Sequence, residues 1–187
     1  MNRIAPINQI PPEILTLVPD FWDADHRDKD LIALTHVCRA WREVFVSRPT
    51  LWTDLKCVDL DKTRVYLERS ESSPINLSLD GDNAVPSSPF LEVLSGATMR
   101  LKSLDIEMPP RGLQPISSYL TRPAPLLRVL SIRGCGNPRL PPALFKWDLS
   151  SLHELRLRDV PTELPRRNMV NLMSFALAYG SPPISVT

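Results

Sequence analysis

Glycine is scarce in this chain, with six in 187 residues. No glycine-rich stretch exists that would let a backbone wrap a phosphate, and no Gly-x-Ser-x-Gly turn exists to present a nucleophilic serine. Cysteine is nearly as limited. Cys38, Cys57 and Cys135 are odd in number and far apart, so they form neither a disulfide framework nor a Cys-x-x-Cys pair. That pattern suits a reducing compartment, cytoplasm or nucleus. Charge of one sign is missing too. Twenty-two Lys and Arg against 21 Asp and Glu give a net charge of +1, which removes bulk attraction to nucleic acid or an anionic membrane. No apolar run approaches the ~20 residues of a membrane helix, and "MNRIAPINQIPPEI" lacks the apolar centre of a signal peptide.

Histidine is rare and dispersed. His26, His36 and His153 have no partner at metal-ligand or triad spacing, and His153 reads as a solvated surface group. The acidic stretch "DFWDADHRDKD" lacks the glycine turn and terminal glutamate of a calcium loop, and reads as a plain acidic connector. Cys38 reads as a small apolar filler. The expectation is a protein without cofactor, metal or catalytic centre.

Proline is abundant, at 20 residues. Prolines stop helices and strands, so the chain should consist of many short elements with set ends. Pro11 and Pro12 precede Glu13-Ile14-Leu15, which favours a helix start there, ending before Pro19. Asp28 or Asp30 is positioned to cap the next helix. From Leu31 the apolar residues Leu31, Leu34, Cys38, Trp41 and Phe45 step by three, four, three and four, which is one helical face. This strip fits one helix, or two short ones broken near Thr35-His36. A unit this small buries little surface alone. Its strip is therefore covered by the rest of the chain or by another protein.

The stretches "IPPEILTLV", "DLIALTHVCRAWREVF" and "PTLW" together resemble the F-box motif: Leu-Pro-x-Glu-Ile-Leu, then Asp-Leu-Leu-x-Leu-x-x-Val-Cys-Lys/Arg-x-Trp-Arg, then Leu-Trp. The resemblance covers roughly residues 8 to 52. It implies a three-helix head that docks on the SKP adaptor of a cullin–RING ubiquitin ligase. The docking residues it implies are Ile10, Pro11, Pro12, Ile14 and Leu15 from the first segment. Leu31, Leu34, Val37, Cys38 and Trp41 come from the second. Ile10 replaces the usual leucine, Pro19 falls where the family's first helix continues, and the loop from Asp20 to Lys29 is long.

The remainder carries a repeat. "LKSLDIEM", "LRVLSIRGC" and "LHELRLRDV" each read Leu-x-x-Leu-x-Leu/Ile, with central leucines Leu104, Leu130 and Leu155 at periods of 26 and 25. Weaker copies supply Leu55, Val58 and Leu60, then Leu77 and Leu79, then Leu172, Phe175 and Leu177. In a short strand, Leu104 and Ile106 point the same way and Ser103 and Asp105 the other. Stacked copies would form a parallel sheet, and this resembles the leucine-rich repeat. Cys135 falls at that repeat's buried Asn/Cys position. The connectors "DKTRVYLERS", with Asp61 as cap, "SPFLEVLSGATM" and "GLQPISSYLTR" suit helices on the convex side.

The expected architecture is α+β or α/β: a helical F-box head over residues 1–52 and a short irregular leucine-rich solenoid over 53–187. Leu51-Trp52 would wedge the two together. "LWTDL", "VYLERSESSPINLSLD" and "PAPLLRVLSIRG" are similar to F-box proteins with degenerate repeats expanded in mushroom-forming fungi. The ending "AYGSPPISVT" shows no evident polar cap for a solenoid. The implied role is substrate recognition within the ligase, in cytoplasm or nucleus. Strand alternation nominates Lys102, Ser103, Asp105, Arg128, Ser131, Glu154 and Arg156 for target contact, and Arg128, Arg133 and Arg156 would favour an acidic target. The alternative is a leucine-rich interaction scaffold with no ligase role.

Overall fold

A computed structural model describes residues 9–21, 27–56, 59–81, 86–119, 121–134, 149–159 and 170–178. Cys57, Cys135, His26, Val58 and the ending from 179 lie outside the described residues, so the expectations attached to them do too.

Helix α1 (Pro12–Leu15) opens as its prolines and Glu13 dictate. It closes where Thr16 Oγ1 donates to the Glu13 carbonyl at 2.8 Å. Pro19 is carried in a 3-10 turn, Val18–Phe21. The apolar strip from Leu31 is divided between two helices, α2 (Arg27–Leu34) and α3 (Arg39–Val46). The break is built from polar groups that satisfy the end of α2. Thr35 Oγ1 donates to the Ile32 carbonyl at 2.7 Å, and Arg42 Nε donates to the Thr35 carbonyl at 2.8 Å. Cys38, extended at φ −159°, enters α3 without a side-chain cap. Asp28 and Asp30 lie within α2, so neither is the cap the sequence suggested.

A second 3-10 turn, Pro49–Trp52, leads into the sheet. Strands β1 (Asp54–Lys56), β2 (Ile75–Asp80), β3 (Leu101–Met108), β4 (Val129–Gly134), β5 (Glu154–Arg158) and β6 (Ser174–Ala178) pair in chain order. Every pairing is parallel. Parallel neighbours need long crossovers. Helices α4 (Leu60–Arg69), α5 (Ser88–Ala97) and α6 (Pro110–Tyr119) fill the first three. Asp59 caps α4 by accepting from the Lys62 N–H at 2.7 Å, where the sequence had suggested Asp61. Ser87 caps α5 in the same way. Leu60, read from sequence as part of a weak repeat, begins α4 instead of extending β1. The chain ends α4 with Glu71 at φ 49°, a left-handed position that glycine usually takes.

Register brings the repeated leucines into rows. Leu55, Leu77, Leu104, Leu130, Leu155 and Phe175 are successive partners, as are Leu79, Ile106, Ile132, Leu157 and Leu177. From β1 to β5 these side chains are no more than 2% exposed, whereas Phe175 and Leu177 stand 49% and 46% exposed on the edge strand. Leu101, Leu127 and Leu152, one turn earlier in each repeat, are fully buried. Each such side chain contributes about 1.5–3 kcal/mol by leaving water. Leu15, Leu31, Trp41, Phe45 and Trp52 belong to the same continuous core as the sheet leucines.

Arg100 ties α4 to the sheet without a carboxylate. Its guanidinium donates to the carbonyls of Ser73 and Leu67 at 3.0 and 3.3 Å and to Ser70 Oγ at 2.6 Å. Burial lowers its pKa from the ordinary arginine value, yet an arginine keeps its proton across the pH range in which proteins fold. These bonds gather acceptors from the last turn of α4 and the segment that follows it. Arg100→Ala should lower the unfolding free energy by about 1–2 kcal/mol in urea titration, discounted for partial exposure. Arg100→Lys, which cannot fork, should recover less than half of that.

Candidate functional site

Two surfaces follow from this architecture. On the N-terminal helices, the residues implied to dock divide by burial. Leu15, Leu31 and Trp41 are 4%, 1% and 7% exposed, because the chain's own core covers them, and they offer an outside partner little area. Trp41 packs tilted against Phe45 with ring centres 5.9 Å apart, and its buried indole N–H has no hydrogen-bond partner among the described residues. Ile10, Leu34 and Cys38 are half-buried against the core. Pro11 and Pro12 are exposed, and Ile14 and Val37 are each 53% exposed. Leu17, half exposed, and Phe21, almost fully exposed, add apolar area that the sequence reading did not nominate. The signal for Leu17 was its apolar side chain three residues beyond Ile14, in the turn that follows α1.

The second surface is the open face of the sheet. Alternation places Ser103, Asp105, Val129, Ser131, Glu154 and Arg156 opposite the leucine rows, in register across β3, β4 and β5. Ser131 is only 4% exposed, because its short side chain sits in register between the longer Asp105 and Arg156. As a contact residue it has little to present. The charges on this face largely pair among themselves. Arg133 binds Glu107 at 2.8 Å and approaches Asp105 at 4.0 Å, and Arg156 binds Glu154 at 2.6 Å. Arg133 and Arg156 therefore bring little free positive charge to a partner. Asp105 Oδ1 is buried with no hydrogen-bond partner among the described residues. His153 sits half-buried at the rim with Nδ1 2.6 Å from the Ser151 carbonyl.

Lys102 and Arg128 differ from these. They precede the paired rows on β3 and β4, where the Arg128 N–H donates to the Lys102 carbonyl at 2.8 Å. Both side chains are exposed, and neither meets a carboxylate among the described residues. They line a groove of about 410 Å³ with Thr50, Thr53, Ser73, Pro74, Asn76 and Leu126. Of these, only Lys102 and Arg128 were nominated from sequence. Asn76 was detectable in principle, since it is the register partner of Ser103. Thr50 and Thr53 come from the N-terminal segment and reach the groove only through the fold.

Among the described residues no cluster of His, Cys, Asp or Glu could hold a metal ion, and no helix is long and apolar enough to cross a membrane. Comparison with family models matches the F-box-like family at residues 7–57. No curated protein and no solved structure matches the chain.

Proposed function

We propose that this protein is the substrate-recognition subunit of a cullin–RING ligase: residues 7–57 match the F-box-like family, and F-box domains in general bind the SKP adaptor of such ligases. It acts in cytoplasm or nucleus and positions a target for ubiquitin transfer without catalysing the transfer itself. The observation that carries the reading is the coincidence of that domain with exposed apolar side chains, Ile14, Leu17 and Val37, on the same segment. Apolar groups left open to water mark a contact surface.

The target-binding half is read as a short leucine-rich-repeat solenoid, related to the degenerate repeats of F-box proteins in mushroom-forming fungi. Its support is the register of Leu104, Leu130 and Leu155 at periods of 26 and 25, within the repeat lengths of about 20–29 known for that architecture. A target bound on the open face of the sheet is held close to the ligase, which turns a bimolecular encounter into a local one. Calorimetric titration with purified SKP adaptor tests the reading. Saturable one-to-one binding supports it. A folded chain that does not bind overturns the ligase role and leaves an interaction scaffold.

A further inference from the structure

The groove at the N-terminal rim of the sheet has a charge balance unlike the rest of the open face. Lys102 projects from β3 and Arg128 from the residue just before β4, the two joined by the bond from the Arg128 N–H to the Lys102 carbonyl at 2.8 Å, and no described carboxylate neutralises them. A third cation stands behind the wall, because Arg100 donates to the carbonyl of Ser73, a lining residue. Its three described acceptors are all neutral. The carboxylate that reaches the lining is Asp54, which accepts from Asn76 Nδ2 at 2.6 Å. Among the described residues, two positive charges line the groove, and the carboxylate beside them is engaged by an amide. Hydroxyls of Thr50 and Ser73 supply neutral donors, and Leu126, 44% exposed, supplies an apolar lip.

We infer that this groove binds an anionic oxygen-bearing group, a carboxylate or a phosphoryl group, on a side chain of an extended target polypeptide, with the anion between Lys102 and Arg128 and flanking apolar residues on Leu126. Ammonium and guanidinium donors from neighbouring backbone positions suit a group with several acceptor oxygens. The groove's size admits a few residues of peptide rather than a folded domain. Its position matters as well. Thr50 and Thr53 belong to the segment matched as F-box-like, and Lys102 and Arg128 belong to the sheet. A peptide held here lies beside the docking domain. The inference deepens the reading of the sheet as a target surface and rests on it.

The experiment is fluorescence anisotropy of the full chain with three labelled peptides: hexaglutamate, a Gly-Ser peptide with one central phosphoserine, and the same Gly-Ser peptide unmodified. At least one anionic peptide should bind about tenfold or more tighter than the unmodified one, and Lys102→Glu/Arg128→Glu should abolish that preference. The milder Lys102→Gln/Arg128→Gln should weaken it by about tenfold in a chain whose fold is undisturbed, since both positions are exposed. Arg111→Glu/Arg122→Glu, with the same change in net charge at exposed positions elsewhere, should leave it intact. Preference for phosphoserine assigns a phosphoryl source, and preference for hexaglutamate assigns a carboxylate source. No preference for either anionic peptide overturns the inference, as does equal loss in the two glutamate pairs. Adaptor titration of the same variants is a separate readout. A groove that binds in a chain with no adaptor affinity would overturn the ligase role alone.

Discussion

Replacing Trp52 with alanine should lower the unfolding free energy by about 4 kcal/mol, among the largest losses any single core truncation here can produce. Trp52 is fully buried. Its Nε1 donates to the Phe45 carbonyl at 2.9 Å, taking up an acceptor that the last turn of α3 leaves without a helical partner. Its ring meets Tyr66 of α4 edge-on at 5.1 Å, and the Arg69 guanidinium lies 4.2 Å from its centre. One side chain thus contacts the N-terminal helices and the first crossover helix. Removal leaves a cavity lined by both, together with an orphaned carbonyl. Trp52→Phe keeps most of the packing and should lose only about 1–2 kcal/mol, the share of the hydrogen bond. Against a net stability of about 5–15 kcal/mol, the alanine variant should unfold at a visibly lower urea midpoint. Because the core is continuous, ellipticity and fluorescence transitions of the native chain should coincide. Loss of less than about 1 kcal/mol, or two separate native transitions, would show that Trp52 does not join the two parts.

The repeat was legible from leucine spacing alone, because a parallel sheet in chain order converts a sequence period directly into lateral register. Leu104, Leu130 and Leu155 became neighbours for that reason. The limits of the period reading lie where strands are short. Leu60 shares the spacing of the leucine pattern, yet Asp59 caps a helix in front of it and withdraws it from β1. In the N-terminal segment, periodicity identified the apolar strip but could not say which side of it faces outward. Leu31 and Val37 look alike in sequence, and the fold buries one and exposes the other. The hydrogen bonds of Thr35 and Arg42 that break the strip depend on a contact seven residues apart, which no 3.6-residue pattern encodes. On the open face, register sets Ser103, Asp105, Glu154 and Arg156 opposite the leucine rows, and pairing decides what each has to present. Arg156 is occupied by Glu154, two residues back on the same strand, whereas Lys102 and Arg128 meet no carboxylate among the described residues.

The same distinction between buried and exposed residues sets the second large effect, on adaptor binding. Ile14→Asp/Val37→Asp should weaken the SKP adaptor by about 100-fold or more while leaving the chain folded. Each side chain is half exposed, so each substitution should change stability by no more than about 0.5 kcal/mol. At an interface, an apolar anchor replaced by a carboxylate loses its burial and strands a charge against an apolar partner. Leu31→Asp is the contrasting case. At 1% exposure it puts a carboxylate into the apolar core, and the chain should unfold before docking is tested. Circular dichroism and calorimetric titration, run together, distinguish the two. If the Ile14/Val37 variant stays folded and keeps native affinity, the exposed strip is not the docking face, and any adaptor contact must be made elsewhere on the domain. If Leu31→Asp stays folded and loses affinity, Leu31 is presented outward in the bound state, and docking involves opening α2 away from the core. If both lose affinity but only the first remains folded, the adaptor reads the exposed apolar residues and the buried ones hold them in place.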